Sequence, residues 1–333
     1  MSKTMKTLLN LAAIAACALF VTAGCNSGAD GGTASNGAEG KRFKIGVSIP
    51  AADHGWTAGV GWWAKEASAL YPNVDWIIET AVNPEEQITD MQNLQTQGID
   101  ALVILATVSA PVTPMAKTLH DAGILIVNVD RGFTEPVADV FIAGDNSEFG
   151  RKSAEFMVGK LGGRGNIVIL AGIAGTNVSK DRVAAFKAVM SRYPNIKIVA
   201  EEAADWDRAL ADKAMQNILI ANPKIDAVWA SDDDMALGAE NAIRQAGREK
   251  EMWILGGAGM KDIVKRVMDG DAMYPADITY PPSMIAVGIQ QAVAILTAGR
   301  EKSLQFTPRN QIMEIELITP ENAKRFYFPD SIY

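Results

Sequence analysis

Cysteine is almost absent: Cys17 and Cys25 are the only two in 333 residues. Histidine is as scarce, with only His54 and His120. So little of either excludes a disulfide framework and a Cys/His metal cluster. Positive charge is short too, with 31 Lys and Arg against 39 Asp and Glu, a net of −8. An acidic chain lacks the basic surface that neutralises nucleic-acid phosphate, so no nucleic-acid partner is expected. After Val21 no apolar run is long enough to span a bilayer. There is no phosphate loop, nucleophile elbow or metal-ligand spacing, and "GGAG" at Gly256 is a turn rather than a dinucleotide fingerprint. Neither a cofactor nor a metal is expected.

What is present begins with an export pattern. "MSKTMK" carries two lysines, and an apolar run from Leu8 to Val21 follows. It is short and alanine-rich, as the core of an export signal is. It ends in "TAGC", which resembles a bacterial lipobox, with Thr22 where leucine is usual. Residues 1–24 are then a lipoprotein signal and Cys25 the lipidated new N-terminus. The plainer alternative is an ordinary cleaved signal followed by a cysteine. Residues 26–40, "NSGADGGTASNGAEG", hold no large apolar side chain and read as a flexible tether. Loss of Lys3 and Lys6 takes the charge to −10.

From Lys41 to Tyr333 short apolar runs alternate with amphipathic stretches. "FKIGVSI", "VDWIIET", "DALVILA", "ILIVNVD", "VFIAG", "NIVILAG", "IKIVAEE", "DAVWAS" and "MWILGG" read as strands. Several are apolar throughout, as parallel strands covered on both faces are. "NPEEQITDMQNLQTQG" reads as a helix capped by Asn83, with Pro84 in its first turn and Gly98 at its end. The βαβα order predicts doubly wound α/β domains. The length predicts two of them. "MQNLQTQGIDALVILAT" from Met91 is echoed by "MQNILIANPKIDAVWAS" from Met215, as two similar lobes in tandem would be.

Ligands of open α/β sheets lie beyond the carboxyl ends of the strands. The polar strand ends here are Ser48 to Trp56, "DRGF" at Asp130, "GTNVSKDR", "DWDR" at Asp205, "SDDD" at Ser231 and "ITY" at Ile278. Carboxylates and guanidinium groups that orient hydroxyls, set among aromatic faces that cover C–H surface, make a carbohydrate-type site. The stretch from Ser48 also carries three of the seven tryptophans. Trp62 and Trp63 are adjacent in a helix and point about 100° apart, so both cannot face one pocket. Trp56 is assigned to the ligand and the other two to packing. His54 is open between a ligand group, a helix cap and a loop residue, and His120 matches a helix C-terminus. In "DDD" at 232–234, Asp232 is the site candidate and Asp233 or Asp234 the expected cap of the next helix.

"VDRGF", "IAGTNVSKDRVAAF", "ADWDR", "MQNIL" and "SDDDMALGAENAIRQAG", in this order, resemble the periplasmic sugar-binding proteins of ABC importers, of the ribose-binding type, from about Lys44 to Ile318. The resemblance implies the type I periplasmic binding protein fold, with two doubly wound parallel-sheet lobes joined by a three-segment hinge. It places crossings near Gly144–Asp145, Tyr280–Pro281 and Gln311–Ile312. The lobes are then 41–144 plus 281–311, and 145–280 plus 312–333. It implies ligand-binding roles for Ser48, Asp53, His54, Trp56, Asp130, Arg131, Arg182, Trp206, Asp232 and Tyr280. Three positions depart from the family: Asp232 replaces an amide, Tyr280 a glutamine, and Ala258 an aspartate that grips the sugar.

The expected function is a monomeric solute-binding protein. It takes a monosaccharide or polyol between its lobes and presents it to the membrane permease. No chemistry is expected, since Arg131 and Arg182 are expected to hold the cleft acids ionised and deny them a general-acid role. A sugar-sensing partner of a chemoreceptor or histidine kinase is the alternative. A DNA-binding regulator of the same fold would carry a helix-turn-helix where this chain has its export signal.

Overall fold

A computed structural model describes residues 42–333. The export signal, Cys25, the tether and Lys41 lie outside the described residues.

Five strands, β1 (Phe43–Pro50), β2 (Val74–Ala81), β3 (Ala101–Ile104), β4 (Leu125–Val129) and β5 (Val140–Gly144), open the chain. Between the first four lie α1 (Gly55–Ala69), α2 (Pro84–Thr96) and α3 (Ser109–Asp121). After β5 come α4 (Asn146–Leu161), β6 (Gly165–Ala171), α5 (Asn177–Met190), β7 (Ile196–Ala203), α6 (Arg208–Ala221) and β8 (Ala227–Ala230). Then follow α7 (Asp233–Gln245), β9 (Trp253–Leu255), α8 (Lys261–Met268) and β10 (Asp277–Ile278). The chain closes with α9 (Met284–Ala298), α10 (Arg300–Leu304), β11 (Asn310–Met313) and β12 (Leu317–Ile318).

These strands form two parallel sheets, ordered β11-β5-β4-β3-β1-β2 and β7-β6-β8-β9, and one antiparallel pair, β10-β12. Every strand read from the sequence is present. The continuously apolar runs are the inner ones: β3, β4 and β8 are buried along their whole length. Alternate residues serve opposite faces of the first sheet. Ile45, Val47 and Ile49 join one core, while Leu102, Ile104 and Ile126 join another with Met91, Leu94 and Leu119. Each such buried side chain contributes roughly 1.5–3 kcal/mol. Asn83 caps α2 as expected, accepting from the Glu86 N–H at 2.8 Å, with Pro84 as the first helical residue. Trp62 and Trp63 meet edge to face at 4.8 Å, and Trp63 packs against the main core.

The chain changes sheets after Gly144, and it returns through Tyr280, Pro281 and Pro282 into α9. β11 carries the first sheet through Gln311–Ile312 to Met313, which pairs with Gly144. Strand ends of the two sheets therefore meet where these connections run.

Candidate ligand cleft

The meeting place encloses about 330 Å³ between side chains from both sheets. From the first sheet come His54 and Trp56 at the start of α1, and Asp130 and Arg131 beyond β4. From the second come Val178 and Arg182 on α5, Trp206 beyond β7, Asp232 beyond β8 and Ala258 beyond β9, and Tyr280 follows β10 of the antiparallel pair.

Asp130 leaves β4 with φ at 62°, a left-handed conformation that costs a non-glycine residue on the order of 1–3 kcal/mol. Its N–H is held by the Ile142 carbonyl at 2.7 Å, which turns the carboxylate into the cleft. Oδ1 accepts the Tyr280 hydroxyl at 2.5 Å. Oδ2 lies 3.8 Å from Arg131 Nε, and that buried nitrogen has no hydrogen-bond partner. Arg131 is anchored from behind, donating to the carbonyls of Thr107 at 2.8 Å and Ala106 at 3.3 Å. Its guanidinium lies 5.6 Å from the Trp206 ring centre.

Arg182 is almost fully buried. Its guanidinium sits 3.9 Å from the Phe149 ring centre and 4.3 Å from that of Tyr280. Nε donates to Asn146 Oδ1 at 2.8 Å and Nη1 to the Ser231 carbonyl at 2.7 Å. Asn146 Nδ2 in turn donates to the Tyr280 hydroxyl at 3.2 Å. A directed chain thus runs from Arg182 through Asn146 and Tyr280 to Asp130. Burial and the neighbouring Asp130 carboxylate push the Tyr280 phenol far above its ordinary range, so it stays a donor. Its ring fits because residue 144 is glycine; a Cβ there would lie 2.3 Å from the ring.

Trp206 is the second of two consecutive left-handed residues, with φ of 52° at Asp205 and 60° at Trp206. Its indole lies over Gly172, where a Cβ would come within 2.1 Å of Nε1. Trp56 Nε1 donates to the Tyr280 carbonyl at 2.9 Å, so only carbon is left to face the cleft.

Two expected members stand back from it. Ser48 is buried at the end of β1, where its hydroxyl accepts from Gln87 Nε2 at 3.1 Å. Gln87 also binds the Leu105 carbonyl and Thr107. Asp53 faces solvent and pins the start of α1, binding His54 Nδ1 at 2.6 Å and accepting from the Thr57 hydroxyl at 2.7 Å. Burial opposes its charge, but these bonds outweigh it and lower the carboxyl to about 2.

The expected cap of α7 needs correction. Asp232, not Asp233 or Asp234, caps it, accepting the Met235 N–H at 2.9 Å. Asp233 turns under the next loop and accepts from Gly257 and Met260. Asp234 binds Arg208 at 2.7 Å and the Gly55 N–H at 2.9 Å, joining α7 to the start of α1. The expectation that arginines keep every cleft acid ionised also fails. Burial, reinforced by Asp234, raises Asp232 to about 7 against the opposing pull of the Met235 N–H, His54 and Arg182.

Sequence reasoning missed Asn146, Phe149 and Val178. Asn146 stands two residues past β5, so the strand-end rule applied to "AGDN" would have found it. Phe149 sits a turn further along α4 and carried no signal.

A family model described as the periplasmic binding protein domain matches residues 45–301. The ribose import binding protein of Escherichia coli (strain K12) is 32% identical over 233 residues, covering 70% of this chain and 77% of its own. Among solved structures, an ABC transporter solute-binding protein from Mycobacterium smegmatis with bound glycerol superposes with a TM-score of 0.79. It is 30% identical over 87% of this chain and 99% of that one. The fructose-binding periplasmic domain of a hybrid two-component system superposes at 0.76, is 30% identical, and covers 86% and 93%.

Proposed function

This chain belongs to the periplasmic binding protein family, whose members bind solutes and are not enzymes, and on that premise we propose that it captures a monosaccharide or polyol for an ABC importer. The ligand sits between two lobes, 41–144 plus 281–311 and 145–280 plus 312–333. Asp130, Arg131, Arg182 and Asp232 take its hydroxyls, and Trp56 and Trp206 cover its C–H faces. His54 and Tyr280 complete the wall. Ligand contacts drawn from both lobes favour the closed form, which is the form the permease recognises. The protein is exported, anchored through Cys25, and works as a monomer.

One observation carries this reading: two arginines, Arg182 buried and Arg131 partly buried, face the same small cleft from opposite sides between tryptophan rings. Thermal unfolding of the full chain against pentoses, hexoses and polyols tests it. A ligand at 100 times its Kd adds about 2.7 kcal/mol of stability. That raises Tm by several degrees. The shift disappears in Asp130→Ala and Arg182→Ala. If no carbohydrate or polyol raises Tm, the reading is wrong.

The likeness to a two-component sensor domain supports a second reading, in which the occupied protein signals to a membrane receptor kinase. Uptake of the ligand in cells lacking the cognate permease separates the two.

A further inference from the structure

The carbon-only part of the cleft identifies the ligand more narrowly, on the carbohydrate reading above. We propose that the ligand is a deoxy sugar or deoxy polyol whose deoxygenated carbon packs against Ala258.

Ala258 has φ at 109°, a conformation that L side chains rarely adopt. Its neighbours Gly256, Gly257 and Gly259 carry no side chain. The one methyl in this turn is the one that lines the cleft, where the backbone favours glycine. The turn is also fixed. Asp233 accepts from Gly257 at 2.8 Å and Met260 at 2.7 Å, and Asp277 accepts from Gly259 at 3.2 Å. The Ala258 N–H itself is held by the Ile278 carbonyl at 2.7 Å. With every N–H from 257 to 260 engaged, the methyl can neither withdraw nor be replaced by a backbone donor.

Part of the cleft's polar wall is already engaged, and what stays open for ligand hydroxyls lies on Asp130, Arg131, Arg182 and Asp232, not on the Ala258 turn. The Tyr280 hydroxyl both donates and accepts already, and Trp56 Nε1 is used. Asp130 keeps one oxygen for ligand and Arg131 keeps Nε. A hydroxyl pressed against Ala258 loses its water and gains no partner there, and a buried unpaired hydroxyl is disfavoured. A methyl or methylene loses nothing and gains contact.

The test is calorimetric titration of the full chain with matched pairs: L-fucose and L-galactose, L-rhamnose and L-mannose, D-fucose and D-galactose, 2-deoxy-D-ribose and D-ribose. In the pair that binds, the deoxy member is expected to bind about 10- to 100-fold tighter, the range one small group commands in an apolar subsite. Ala258→Asp is expected to reverse that order, and Ala258→Ser, a smaller change, to narrow it. A hydroxylated member that binds as tightly or more tightly, or a preference that both variants leave unchanged, overturns the proposal alone. Silence of every pair and of the wider panel overturns the carbohydrate reading and this proposal with it.

Discussion

Replacing Tyr280 with Phe removes one oxygen and leaves the ring over Gly144 in place. That oxygen is the only donor to Asp130 Oδ1 and the only acceptor for Asn146 Nδ2 among the described contacts. The direction of the chain is fixed by chemistry: guanidinium only donates, so Asn146 must turn its oxygen to Arg182 and its amide to Tyr280. Asp130 is 6% exposed, so water replaces the lost donor poorly. A hydrogen bond to a charged group contributes about 1.5–3 kcal/mol. We therefore expect a loss of about 2 kcal/mol. A body of about 290 residues has an unfolding entropy of about 0.6 kcal/mol/K, which turns this into a fall in Tm of about 3 °C. Urea unfolding monitored by circular dichroism reads the same loss as a lower midpoint at constant slope. The variant also frees Oδ1 of Asp130, so ligands with two adjacent hydroxyls gain affinity relative to those with one. An unchanged midpoint together with an unchanged ligand order would refute the chain as drawn.

Gly172→Ala is expected to displace the Trp206 ring, because a Cβ 2.1 Å from Nε1 leaves it no room. Ligand affinity should fall by at least about 10-fold, the effect of one poorly seated apolar contact. Tryptophan fluorescence should shift while the far-ultraviolet spectrum stays; an unaltered affinity would remove Trp206 from the binding surface. A second expectation concerns pH. Asp232 is raised to about 7 by burial, and burial with a second carboxylate also raises Asp233 and Asp277. An acid raised by folding binds more protons in the native state, so its stabilising effect is complete below about 4 and falls away as pH rises to about 7. Glu240 has the opposite sign. Its burial raises the carboxyl, but bonds from Arg266, Arg244 and Tyr274 dominate and lower it to about 2, so that contribution is lost as pH falls from about 4 to about 2. Stability should therefore peak near pH 4–5 and decline toward pH 8. Asp232→Asn should flatten the decline; urea midpoints from pH 4 to 8 that rise instead would contradict the burial of these acids.

The parallel strands were legible because burial on both faces leaves no polar residue in "ALVIL" and only Asn128 in "ILIVNV", where its side chain is bonded to the Ile104 and Arg131 carbonyls, and their carboxyl ends follow at once. That rule marked the stretches, and the family resemblance singled out Asp130, Arg131, Arg182, Trp206 and Asp232 in them, which the structure brings to one cleft. It failed at Ser48 and Asp53 for opposite reasons. Ser48 ends a strand, but Gln87 on α2 reaches over it and takes its hydroxyl. Asp53 lies in the right loop, but a nearer donor, Thr57, turns it outward. Which of three consecutive aspartates caps α7 was not legible either, since all three can accept an N–H and one residue of register separates the outcomes. What decides it is Asp233. The glycine-rich turn beneath β9 presents two N–H groups that only a carboxylate at the first helical position reaches. That demand comes from a segment more than twenty residues downstream, and it fixes Asp232 as the cap and Asp234 as the tie to Gly55. The same demand holds Ala258 against the cleft. The wall of the candidate cleft and the cap of a neighbouring helix are thus set by one buried carboxylate. A substitution at Asp233 should consequently disturb ligand selection without the side chain ever touching ligand.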